Sequence, residues 1–163
     1  MQLQNPLWAF ALKVYSHSEV EQCCLALQND FGMSVNRLLF AGWLAFQQKS
    51  IDLPALEQSQ ASVWQKEMTH PLRVLRYQLR PLHKKEPELG ALYQAMRKAE
   101  LEAEKIELAH LHALANNWHK VVIPLEVLMP GNIERLAAFP GSPISAAQQK
   151  LLTSLSQQMM LLG

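Results

Sequence analysis

The sequence predicts an all-α, single-domain helical bundle on three counts. Leu and Ala supply 28 and 18 of the 163 residues while Val, Ile and Thr together supply 15, a balance that favours helices over strands. Apolar residues recur at spacings of three and four through most of the chain, and Asn, Ser or Asp stands just before several of these runs as a capping residue. Six or seven helices are expected, with one buried central helix and a long helical hairpin. Residues 1–120 read as the core, 121–142 as a Pro/Gly-rich connector and 143–163 as an amphipathic C-terminal helix.

Asn5 before Pro6 opens a first helix to about Tyr15, because proline suits the first helical position. Ser18 and Glu21 have the spacing of a capping box for a second helix that ends at Gly32. Ser34 can cap a third, running to about Lys49. Its stretch 38–46 is apolar on every side, which suits a helix in the middle of a domain. Asp52 before Leu53 and Pro54 opens a fourth, and Pro71 should kink or break it after His70, since proline has no amide donor and crowds the preceding turn.

Beyond Pro71, Leu72, Leu75, Leu79 and Leu82 form a stripe expected to be buried. Leu89, Leu92, Met96, Ala99, Ala103, Ile106, His110 and Ala113 continue as a heptad seam, so a helix over 87–118 should pack lengthwise on its predecessor. Residues 121–143 hold four prolines and two glycines, leaving room for at most a short helix over 132–139. Ser142 and Pro143 open the last helix, with Ile144, Ala147, Leu151, Leu155, Met159 and Leu162 on one face.

A composition of 49% hydrophobic and 18% charged residues excludes wholesale disorder. The formal net charge of +1 carries no overall nucleic-acid footprint. The longest nearly unbroken apolar run is about half a membrane span and residues 1–15 hold no secretory signal, so a cytoplasmic protein without a membrane partner is expected. Cys23 and Cys24 are adjacent and fit neither an ordinary disulfide nor a CxxC motif, and read as reduced core thiols.

Charge is segregated along the hairpin. Residues 66–85 hold six cations against Glu67 alone, and residues 86–107 hold six Glu against Arg97, Lys98 and Lys105. Antiparallel pairing about a turn near residue 86 brings Arg73 level with Glu100 and Lys66 with Glu107, so the stripes should neutralise each other inside the hairpin. The alternative use of Arg73, Arg76 and Arg80, three and four apart on one face, is a phosphate or anion site.

Two Glu-x-x-His pairs, Glu67 with His70 and Glu107 with His110, have the spacing of carboxylate–histidine metal ligands in helical bundles. Pro71 and the lack of an intervening Glu-bearing helix weigh against that use. Nucleotide loops, nucleophile elbows and zinc spacings are absent from the sequence, and no cofactor is implied. Trp8, Tyr15, Phe40, Trp43 and Trp64 are candidates for lining an apolar pocket, though helical spacing favours core roles. Asn36, in the first turn of the most buried helix, needs a hydrogen-bond partner and is either a brace or a polar anchor for a ligand.

The segments LWAFALKVY at 7–15, CLALQNDFGMSVNRLLFAGWLAF at 24–46, PLRVLR at 71–76 and AELEAE at 99–104 resemble a family of proteobacterial proteins of about this length, a domain of unknown function. The resemblance implies an all-helical fold in a cytosolic, bacterial setting and no mechanism. Its matching segments single out Trp8, Tyr15, Asn36, Trp43, Trp64, Arg73, Arg76, Glu100 and Glu104. Of these, Asn36, Trp43, Trp64, Arg73, Arg76, Glu100 and Glu104 are the candidate ligand-binding set; Glu67, His70, Glu107 and His110 are the metal candidates. The leading functional expectation is a non-catalytic protein-interaction module, with a protein partner or a second copy held through the C-terminal helix. A small-molecule or metal-dependent enzyme sited between the hairpin and the central helix, and anion binding by the arginine stripe, are the alternatives.

Overall fold

In the computed structural model, which describes residues 1–138 and 142–163, every element is helical and no β-strand occurs among the described residues. Helix α1 (Pro6–Tyr15) starts as expected, the Asn5 side chain accepting from the Trp8 amide at 2.9 Å. Helix α2 (Ser18–Phe31) does not use the expected capping box. His17 occupies the cap position without a side-chain bond, and the Ser18 hydroxyl donates to Glu19 Oε2 at 3.3 Å rather than capping the backbone. Gly32 ends α2 at φ +65°, the left-handed region that glycine enters without strain.

Helix α3 (Val35–Phe46), capped by Ser34, stops three residues short of the expected end. Every residue from 38 to 45 is buried, and α1, α2, α7 and α8 surround it. Gly42 matters to that crowding. A Cβ there would run into Met159 Sδ, so the glycine lets Met159 lie directly on α3.

Helix α4 (Leu53–Glu57) is capped by Asp52 but is much shorter than expected. Ser59 interrupts it and caps α5 (Gln60–Trp64), its hydroxyl accepting from the Ser62 amide. From there to Lys85 the rod is continuous: α5, a π-helical turn (Gln65–Thr69), then α6 (His70–Lys85). Pro71 therefore neither breaks nor stops the helix. The wider turn, in which the His70 amide reaches Gln65 O five residues back, accommodates the missing donor and the pyrrolidine ring. It also adds a residue, which turns everything before it by about 100° relative to an ideal α-helix.

A 3₁₀ turn (Pro87–Leu89) leads into α7 (Gly90–Ala115), which packs antiparallel on α6. The expected buried leucine stripe is not realised. No residue of α6 is buried, and Leu75, Leu82 and Leu92 are each about half exposed. Apart from the turns that flank it, α6 packs chiefly on α7, so its remaining faces stay open to water. Burial on α7 concentrates in its second half, at Glu100, Ala103, Glu107, Leu108, Leu111 and Ala115, where α1 and α3 close over it.

The segment read as a connector is largely a helix of the core, α8 (Leu125–Ala137), and Pro130 lies inside it. Residue 139, the expected end of the short helix there, lies outside the described residues. Leu128, Met129 and Ile133 are buried against α3 and α9. Asn132, 1% exposed, accepts from the Ile51 amide at 2.9 Å and donates to the carbonyls of Lys49 at 2.9 Å and Ala41 at 3.3 Å. Two of these bonds satisfy backbone groups just past the end of α3 and the third reaches a carbonyl within it, so the Pro- and Gly-containing helix is held by a polar hub as well as by its apolar face.

Helix α9 (Ala146–Leu162) begins at a Ser145 cap rather than at Ser142. Leu152, Leu155 and Met159 are buried, and α9 lies on α2 and α8. Leu155 and Met159 of the face expected to meet a partner are thus covered within the chain, whereas Ala147 is exposed. Cys23 and Cys24 are buried free thiols. No helix among the described residues is long and apolar enough to cross a membrane.

Candidate functional site

Where α7 leaves the body of the domain, its first buried residue is Glu100, and the hairpin register delivers two arginines of α6 to it. Arg73 Nε donates to Glu100 Oε1 at 2.9 Å and Arg73 Nη2 to Glu104 Oε1 at 2.9 Å. Arg76 Nε donates to Glu100 Oε2, and its Nη2 reaches Oε1 at 3.4 Å. The side chains of Glu100, Arg73 and Arg76 are only 7%, 12% and 17% exposed. Pairing this complete is what offsets the desolvation of buried charge. Hydrogen bonding to Glu100 raises the Arg76 guanidinium further above its ordinary value. Burial raises the Glu104 carboxyl, with Arg73 pulling it the other way.

The network is also a wall. A cavity of about 490 Å³ lies between α1, one side of α2, the start of α3 and the hairpin, with Trp8, Leu12, Leu25, Leu39, Leu101 and Leu108 among its apolar lining. That volume falls in the range of small-molecule sites. A second, more polar hollow of about 690 Å³ adjoins it on the hairpin side. The two share Tyr15, Arg76, Glu100, Leu101 and Glu104. Pairing with each other and lining a pocket are therefore not alternatives for these stripes: the charged groups do both.

Asn36 reaches the apolar cavity from α3. It is 7% exposed and its Nδ2 has no hydrogen-bond partner. Behind it sit Thr69 of the π turn and Glu107 of α7, both 1% exposed. Burial pushes the Glu107 carboxyl up to about 7, and the approach of Thr69 and Asn36 works in the opposite direction. Neither Thr69 Oγ1 nor Glu107 Oε2 completes a hydrogen bond of normal geometry. Lys66, expected beside Glu107, is exposed and forms no ion pair with it, because the π turn rotates that part of the rod and brings Thr69 inward instead.

The other candidates lie elsewhere. Trp43 is 6% exposed in the core, its ring 6.3 Å from Phe40 and 5.5 Å from His112. Trp64 ties α5 to α7, its Nε1 donating to the Ala103 carbonyl at 2.9 Å. Neither lines the cleft. The four metal candidates are not gathered: Glu67 and His70 are exposed, Glu107 is buried, and His110 sits against Trp64 with ring centroids 6.1 Å apart. Among the described residues no three His, Cys, Asp or Glu side chains cluster as metal ligands do.

Several lining residues went unrecognised in the sequence, among them Leu12, Tyr77, Tyr93 and Leu101. Arg97, Leu101 and Glu104, four and three residues apart, were the available signal: they share one face of α7.

No curated protein and no solved structure matches the chain. A family model does, over residues 6–111, a span that includes every residue named here as lining the cleft and excludes α8 and α9. With about two thirds of its length matched, the chain belongs to the family described as Protein of unknown function (DUF2390).

Proposed function

We propose that the protein is a binding protein for a small amphipathic molecule, which it holds in the cleft between α1, α2 and the α6–α7 hairpin without transforming it. One observation carries this reading: an apolar cavity of about 490 Å³ ends on a fully paired, buried arginine–glutamate network instead of closing on hydrophobic core. Glu100 and Glu104 are engaged by guanidinium groups, which fixes them in place as a wall and favours holding over catalysis.

The same reading sets the work in a bacterial cytoplasm, which two free thiols and the sequence resemblance support. Titration with octyl glucoside below its micelle concentration, followed by amide chemical shifts, is the test. Saturable one-site shifts centred on Trp8, Leu12 and Leu101, weakened by Leu101→Trp at the half-exposed rim, are expected. Shifts scattered over the surface, or none, would remove the proposal.

A further inference from the structure

The second hollow differs from the first in charge. Arg76, Arg80, Arg97 and Lys98 line it against only two carboxylates, Glu100 and Glu104. Both carboxylates are already taken, by Arg73 and Arg76. Among the described residues, Arg80, Arg97 and Lys98 form no ion pair. The hairpin thus presents three uncompensated cations, one from α6 and two from α7, at a concave surface that opens directly beside the apolar cavity. Cations in a hollow focus potential and attract anions more strongly than the same charges on a convex surface. Arginine in particular offers a planar fork that fits phosphate and carboxylate oxygens.

The composite shape has a head and a tail. The shared wall holds Leu101, which is 47% exposed and faces both hollows, and Tyr15, whose ring borders both. A molecule lying across this wall would keep its apolar part against Trp8, Leu12 and Leu108 and its charged end near Arg80 and Arg97. We infer that the ligand class is an amphipathic anion, an apolar body carrying a phosphate or carboxylate head, with Arg80, Arg97 and Lys98 as head-group residues. This rests on the cleft being a binding site at all. It also reassigns the arginine stripe of the sequence: Arg73 and Arg76 build the wall, and Arg80 faces the ligand with two cations from the other helix.

Calorimetric titration compares octyl phosphate, octyl glucoside and inorganic phosphate, all below micelle-forming concentrations, on the full chain and on an Arg80→Gln/Arg97→Gln variant. Both positions are free of the buried network, so the variant should keep the fold, and circular dichroism verifies this. We expect octyl phosphate to bind at least tenfold more tightly than octyl glucoside, weakening with salt. In the variant that preference should fall to twofold or less.

Equal affinity of the two amphiphiles in the native chain would overturn the anionic head group while leaving the cleft intact. Binding of neither would overturn the cleft reading and this inference with it. Inorganic phosphate binding as tightly as octyl phosphate would overturn the joint head-and-tail arrangement. Retention on vesicles of anionic phospholipid without binding of monomeric octyl phosphate would make these cations a membrane-surface patch and would likewise overturn it.

Discussion

Arg73 Nε and Glu100 Oε1 meet at 2.9 Å across the hairpin, 27 residues apart in sequence and both largely withdrawn from water. Glu100 is the hub, since it accepts from Arg76 as well, whereas Glu104 accepts from Arg73 alone and is 27% exposed.

The asymmetry sets an order of stabilities. Glu100→Ala leaves two guanidinium groups short of their partner in a dry setting and should destabilise by about 3 kcal/mol. Glu104→Ala should cost about 1 kcal/mol, because Arg73 keeps Glu100 and water reaches the site. Urea denaturation of the two variants measures the difference; equal losses would mean that the network is not centred on Glu100.

Glu107 makes stability depend on pH. Its folded value, about 7, lies above the ordinary 4.5, so the folded state binds more protons than the unfolded chain between those values. Stability from this group is complete below about pH 4.5, declines as pH rises and levels off above about 7. Glu107→Gln should remove the decline and be the more stable protein at pH 8, by on the order of 3 kcal/mol. Chemical denaturation at pH 5 and pH 8 shows it. If the native chain and the variant shared one pH profile, the carboxyl would not be holding its proton.

Asn132 provides a test of the segment that looked like a connector. Asn132→Ala strands the Ile51 amide and leaves the Lys49 and Ala41 carbonyls without this donor, which should cost about 3 kcal/mol as several buried polar groups lose partners at once. Asn132→Asp keeps the acceptor and loses the donors, and should also destabilise. Thermal unfolding that barely moves in either variant would show that α8 does not brace the end of α3.

How far these relationships could be read in advance depends on their range. The caps at Asn5, Ser34 and Asp52 were legible because each needs only a side chain and the amide three residues on. Arg73 opposite Glu100 was legible because one tight turn sets the register of an antiparallel pair. Lys66 opposite Glu107 was not, because the π turn at 65–69 breaks the α-helical count between them. Pro130 and Gly131 disguised α8, whose stability comes from contacts with α3 and α9 rather than from local propensity. The cleft itself was half legible: its charged residues stood out as stripes, whereas Leu12 and Leu101 were indistinguishable from core leucines until α1 lay beside α7.

The most direct measurement is a crystal structure of the protein with octyl phosphate. The account predicts an alkyl chain between Trp8 and Leu101, with the phosphate within hydrogen-bonding distance of Arg80 or Arg97 and the Arg73–Glu100 pair undisturbed. An alkyl chain bound elsewhere, or a phosphate that displaces Glu100 from Arg73, would contradict it.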